Sequence, residues 1–178
     1  MKALEALASR YPQKRVLITG ATSGLGEALA RQFAAAGFRV AVASRNPAKI
    51  AATVAELEQG GGSALAVTLD VTRLDNFEAA AQQVGEAWNG LDILVNNAGV
   101  ITAGKLEALD REVWEESLHT DLWSVIDGCR IFLPLLERSG GGHIVNVASA
   151  AGLLSGPDMA TYNIAKAAVV SLSETLKV

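Results

Sequence analysis

A chain of 178 residues, half of them hydrophobic, is long enough to bury one sizeable core, which makes a single folded domain the expectation and excludes a disordered segment. A net charge of −4 and a pI near 5.2, with no block of like charges, supply no basic field for phosphate backbones or acidic lipid. Nucleic acid and membrane surfaces are therefore excluded as expected partners, and Cys129, the single cysteine, rules out an intrachain disulfide and suits a reducing compartment as a buried, inert thiol.

The chain opens with MKALEALASRYPQK, where Glu5 and Arg10 interrupt the apolar residues and leave no uncharged core such as a signal peptide needs. Residues 1–14 are read as an N-terminal extension. No later run reaches spanning length despite a mean hydropathy of +0.27, so a cytoplasmic protein is expected. Short, nearly continuous apolar runs then alternate with helical patterns. RVLITG at 15–20 is followed by LGEALARQFAAAG, which stops at Gly37, and RVAVAS at 39–44 by NPAKIAATVAELEQGGG, with Asn46 as N-cap and Pro47 as first helical residue. ALAVTLDV at 64–71 precedes the helical DNFEAAAQQVGEAW, and LDILVNNAG at 91–99 precedes REVWEESLHTDLWSVIDGCRIFLPLLERSGG, expected as two helices or one bent near Pro134. HIVNVAS at 143–149 is the last strand, and the helical TYNIAKAAVVSLSETLKV follows. Strands apolar on both faces, alternating with helices, predict an α/β domain with a doubly wound, Rossmann-like parallel sheet. No repeat, low-complexity tract or linker divides it.

The first strand ends in TGATSGLGEAL, placing Gly20, Gly24 and Gly26 where strand gives way to helix. Glycines here allow a tight turn and let a pyrophosphate approach the N–H groups at the positive end of the following helix, although a purely structural turn uses the same residues. The second strand ends in ASRNP. The acidic residue that binds ribose hydroxyls in many dinucleotide sites is replaced by Ser44, with Arg45 after it. A hydroxyl and a planar guanidinium suit a 2′-phosphate, and beside the glycine loop they favour NADP over NAD; alone, Arg45 reads as an exposed arginine at a helix start. Near the end of the chain Tyr162 and Lys166 stand four positions apart on one helical face, so a phenol and an ammonium can point at one small volume.

Taken together and in order, these motifs resemble the short-chain dehydrogenase/reductase family over nearly the whole chain. TGATSGLG is similar to its cofactor loop, which implies that Gly20, Thr22, Ser23, Gly24, Leu25 and Gly26 hold NADP(H) with Ser44 and Arg45. The resemblance of LDV at 69–71 implies that Asp70 and the Val71 backbone meet adenine. That of NNAG at 96–99 implies that Asn97, Ala98 and Gly99 contact the adenosine half and brace the sheet centre. Tyr162 and Lys166 match the active-site pair, which also touches the cofactor, and Ser149 lies thirteen positions before the tyrosine, where the family places its serine. The implied enzyme transfers a hydride between NADP(H) and an alcohol or carbonyl, with Tyr162 as general acid/base, Ser149 orienting the substrate oxygen, and Lys166 favouring the phenolate of a group that titrates near 10 when free.

Two departures accompany the resemblance. Asp121 stands in TDLWSV where the family most often carries an asparagine that supports a water in a proton relay; it accepts hydrogen bonds but cannot donate as an amide does, and it brings charge. Family members also continue past the active-site helix into further strands, so a C-terminally truncated domain lacking those strands is expected. The family's packing of the last two long helices on a second subunit implies a homo-oligomer. A non-catalytic dinucleotide-binding or interaction module is the alternative function. A nucleotide-sugar epimerase or dehydratase fits less well, because Ser23 falls where its middle glycine would be. His119 and His143 lack partners at metal spacing, so no metal site is expected, and Trp88, Trp114 and Trp123 are expected to pack on helix faces.

Overall fold

Along the first strand, β1 (Arg15–Thr19), successive side chains point to opposite faces of a sheet, and both directions meet apolar partners. Val16 and Ile18 join one core with Tyr11, Phe33, Phe38, Val40, Val42, Ile93 and Val95, while Leu17 joins the other with Ala41, Phe77, Leu94 and Phe132. This two-sided burial is what a covered parallel sheet requires. The structure, a computed structural model, describes residues 2–176.

Around β1 lie β2 (Arg39–Ser44), β3 (Ser63–Thr68), β4 (Ile93–Asn96) and β5 (His143–Asn146), all parallel, in the order β3-β2-β1-β4-β5. Val16 pairs with Val40 on one side and Ile93 on the other, and Val95 pairs with Val145. The helices are α1 (Lys2–Arg10), α2 (Gly24–Ala35), α3 (Pro47–Gln59), α4 (Leu74–Trp88), α5 (Arg111–Leu118), α6 (Ser124–Arg138) and α7 (Ala160–Thr175). The chain leaves β1 toward β2 and β3, then returns to place β4 on β1's other side. The sheet order reverses there, opening a crevice at the carboxyl ends of β1 and β4. Below that crevice, at the amino ends of the same strands, buried Arg15 and Asp92 pair at 2.9 Å and Arg15 also donates to Trp88 O, tying β1 to the turn before β4.

Local signals behave as expected in several places. Asn46 caps α3 by accepting the Lys49 N–H at 3.1 Å, Pro47 is its first residue, and Cys129 is buried. Residues of the N-terminal extension form α1, whose Leu7 and Ala8 pack with Tyr11 against one core. Three expectations are corrected. β3 ends at Thr68, so Asp70 and Val71 lie in the following loop. The long helical stretch departs from α geometry not at Pro134, which sits inside α6, but at a π-helical segment, His119–Trp123, between α5 and α6. Pro134 lacks the N–H that would bond the carbonyl one turn back, at Arg130, a solvent-exposed residue. Trp123 is 49% exposed rather than packed, whereas Trp88 lies against the core under the Arg39 guanidinium.

Candidate active site

The glycine loop is held by contacts that only glycine permits. Gly20 and Gly24 adopt φ of +66° and +54°, and a Cβ at Gly26 would run into the Gly20 carbonyl and the Asn97 side chain. Ser23 caps α2 in extended conformation without its hydroxyl bonding the helix, which leaves first-turn N–H groups uncapped by that side chain. The Asn97 amide donates to Thr19 O at 2.9 Å, and the buried Thr19 hydroxyl accepts from the N–H groups of Asn97 and Ala98 at 2.9 and 3.0 Å. The loop after β4 thereby pins the loop after β1. At the end of β2 the Ser44 hydroxyl meets the Thr22 hydroxyl at 3.0 Å, and Arg45 is exposed beside them.

A groove of about 730 Å³ runs along these loops. It is lined by Gly20, Thr22, Ser23 and Leu25 from the glycine loop and by Ser44 and Arg45 from the end of β2. Asp70 and Val71 join from the loop after β3, and Asn97, Ala98 and Gly99 from the loop after β4. Of the residues expected to bind cofactor in this half of the site, Gly24 and Gly26 do not line it; they shape the turn. Asp70 closes its own turn, its Oδ1 accepting the Thr72 N–H and hydroxyl at 3.0 and 2.8 Å, and the backbone donor, more than the Thr72 hydroxyl or nearby Arg45 and Arg73, holds its carboxyl below the usual range. Glu116, His119 and Thr120 also line the groove, and no sequence motif marks them as ligand contacts. The helical period carries no sign of Thr120 because the π segment, which begins at His119, shifts the residues after it, whereas Glu116 lies on α5 before that segment. Thr19 is the first residue of TGATSGLG, and the motif itself assigns it no role, although a lone hydroxyl closing an apolar strand is a legible signal.

Asp121 and Lys166 meet beside the loop after β4, the Tyr162 ring lies near the Lys166 ammonium, and the Ser149 turn packs on α7 at Lys166; none of the four lines the groove. Ser149 caps a single turn of 3-10 helix, Ala150–Gly152, its Oγ accepting the Ala151 N–H at 3.1 Å. That turn lies so close to α7 that a Cβ on Gly152 would stand 2.6 Å from the Lys166 carbonyl oxygen. The loop entering α7 is fixed by buried Asn163, which donates to Gly156 O at 2.7 Å. On α7, Lys166 is 4% exposed; its Nζ donates to Val147 O at 3.2 Å and lies 5.5 Å from the centre of the half-buried Tyr162 ring. The π segment delivers Asp121, with no exposed surface, to the same ammonium at 3.3 Å, and its Oδ1 also accepts the Val100 N–H at 3.2 Å. Burial raises the Asp121 carboxyl above the ordinary range, with the Lys166 charge and the Val100 N–H pulling it back. Gly99 borders both: a Cβ there would stand 2.7 Å from Asp121 Oδ1.

Among the described residues no cluster of His, Cys, Asp and Glu could hold a metal ion, and no helix is long and apolar enough to cross a membrane. The arrangement offers a phosphate-accepting loop and helix end at one place and a phenol, a hydroxyl and a paired ammonium at the next.

A family model described as short chain dehydrogenase matches residues 14–178. A 3beta-hydroxysteroid dehydrogenase of Mediterraneibacter gnavus is 38% identical over 170 residues, which cover 95% of this chain and 61% of that protein. The 2,5-dichloro-2,5-cyclohexadiene-1,4-diol dehydrogenase LinX of Sphingobium indicum is 36% identical over 168 residues, covering 94% and 67%. Among solved structures, a short chain dehydrogenase/reductase of Burkholderia phymatum in complex with NAD superposes with a TM-score of 0.87 at 39% identity, over 90% of this chain and 58% of that one. A metagenomic short-chain oxidoreductase in complex with NADP gives the same TM-score at 32% identity, covering 92% and 75%. The chain thus spans about three fifths of the steroid dehydrogenase and of the Burkholderia protein.

Proposed function

We propose that this chain, which belongs to the short-chain dehydrogenase/reductase family, binds NADP(H) and transfers a hydride between it and the carbonyl carbon of a small alcohol or carbonyl substrate. The observation that carries the reading is the convergence of Tyr162, Lys166 and the Ser149 turn beside a groove whose glycine loop can accept a pyrophosphate. The residues fit a dinucleotide: Gly20 lines the groove without a side chain to crowd it, Gly26 lets the loop pack on the Gly20 carbonyl and the Asn97 amide, and α2 directs its N-terminus at the loop.

When bound, the nicotinamide supplies or receives the hydride. Tyr162 gives its phenolic proton to the substrate oxygen in reduction and takes it back in oxidation, Ser149 donates a hydrogen bond that orients that oxygen, and Lys166 favours the phenolate. Asp121 holds Lys166 in place through its 3.3 Å contact. The preference for NADP rests on the paired Thr22 and Ser44 hydroxyls and the exposed Arg45, which together offer donors to a 2′-phosphate and no carboxylate to repel it. Relatives of both cofactor types exist, one solved with NAD and one with NADP. The homo-oligomer is carried as part of the same reading: α6 exposes Leu133 and α7 exposes Ile164, apolar side chains that a second subunit would cover.

The test is NADPH oxidation against a panel of ketones and aldehydes, with Tyr162→Phe as control. Turnover that depends on the phenol supports the reading. NADPH binding without turnover returns the chain to a binding module, and absence of NADPH binding removes the cofactor assignment.

A further inference from the structure

Asp121 is satisfied on one oxygen only. Oδ1 accepts the Val100 N–H and meets Lys166 Nζ, while Oδ2 is buried with no hydrogen-bond partner. A carboxylate with a bare buried oxygen is an expensive way to hold a lysine that Val147 O already holds, so its charge calls for an account. The other charged groups around α7 lie in solvent: Arg111, Glu112, Glu115 and Glu116 on α5, and His119 at the head of the π segment. Lys105, Glu107 and Asp158 in the loops before α5 and α7, His143 on β5 and Glu174 on α7 are likewise exposed. On α6, Arg130, Glu137 and Arg138 are exposed and Asp127 is half-buried beside Arg130. The 97–100 and 150–152 segments carry no charge. The buried charges on these elements are Lys166, 5.5 Å from the Tyr162 ring centre, and Asp121, 3.3 Å from that ammonium, and they carry opposite sign.

We infer that Asp121 sets the charge felt by the Tyr162 phenol: as a carboxylate it cancels the Lys166 ammonium, and so it keeps the phenol protonated to a higher pH than an uncharged residue at this position would. A lone cation within about 6 Å of a titrating group favours its anion, whereas a tight ion pair presents only a dipole. A neutral side chain at position 121 would leave the cation uncompensated; the aspartate does not. The consequence is a site biased to the proton-donating form that carbonyl reduction uses. The inference rests on the reading of Tyr162 as the acid/base group.

Tyr11 and Tyr162 are the two tyrosines, so a Tyr11→Phe background leaves one phenol whose near-ultraviolet phenolate absorbance can be titrated without cofactor or turnover. In that background Asp121→Asn, which keeps the shape and removes the charge, is expected to move the phenolate midpoint to lower pH by about one unit, a tenfold change in proton affinity. Asp121→Ser is expected to move it the same way, so one folded variant suffices, with circular dichroism checking the fold. A midpoint unmoved or raised in a folded variant overturns the inference. An inactive protein whose midpoint falls would count against the oxidoreductase reading and leave this one standing.

Discussion

Thr19 and Asn97, 78 positions apart in the chain, are joined by two hydrogen bonds of 2.9 Å: the Thr19 hydroxyl accepts the Asn97 N–H, and the Asn97 amide donates to the Thr19 carbonyl. The same hydroxyl takes the Ala98 N–H, so one buried oxygen satisfies two backbone donors in the loop that lines the groove. Thr19→Val keeps the volume and leaves both donors without this acceptor. A loss of about 1–3 kcal/mol of stability is expected, since a buried donor without a partner bears its desolvation penalty in full. Chemical denaturation measures it, and cofactor affinity should fall with it. A variant as stable as the parent would show that water replaces the hydroxyl.

The proposed preference for NADP places cofactor choice at the end of β2, on Ser44 and Arg45. Ser44→Asp with Arg45→Ala exchanges a hydroxyl and a cation for a carboxylate, which repels a 2′-phosphate and accepts ribose hydroxyls. Titration of the parent should give tighter binding of NADP than of NAD, and the double variant should reverse the order. Equal affinities in the parent would remove Ser44 and Arg45 from the assignment.

Tyr162→Phe retains the ring beside the Lys166 ammonium and removes only the proton. Turnover should drop about 100- to 10,000-fold, the usual contribution of positioned proton transfer, while cofactor affinity stays close to the parent's. Steady-state kinetics with a parallel binding titration separate the two, and a variant retaining more than about one hundredth of the activity would mean another group carries the proton.

The Asp121 carboxyl also links stability to pH. Burial holds it above the ordinary range, so the folded protein binds a proton that the unfolded chain has already released, and stability falls as pH rises from about 4 through the raised value. Asp121→Asn removes this dependence. The variant's melting temperature relative to the parent's should therefore climb from acid pH toward neutrality. Asp70 runs the other way, stabilising above the ordinary carboxylate range and losing that contribution as pH falls through its depressed value, but it is common to both proteins and cancels. A difference that stays constant across the range would show that Asp121 titrates alike folded and unfolded.

What the sequence determined by itself was whatever depends on neighbours along the chain. RVLIT and RVAVAS are strands because their apolar residues have no polar face to give to solvent, α3 begins where Asn46 and Pro47 satisfy its first turn, and TGATSGLG turns where glycine alone can turn. The order of these pieces was sufficient for the sheet and for the pairing of Tyr162 with Lys166 on one helix. The tertiary structure alone decided what depends on residues far apart or on a change of helical period. Nothing near Thr19 announces Asn97 as its partner, because the bond forms only when β1 and β4 lie side by side. Nor does TDLWSV announce a buried carboxylate: Asp121 reaches Lys166 because a five-residue π segment re-aims it, and no repeat of 3.6 residues encodes that displacement. The charge of the site was written in the sequence, and its burial was not.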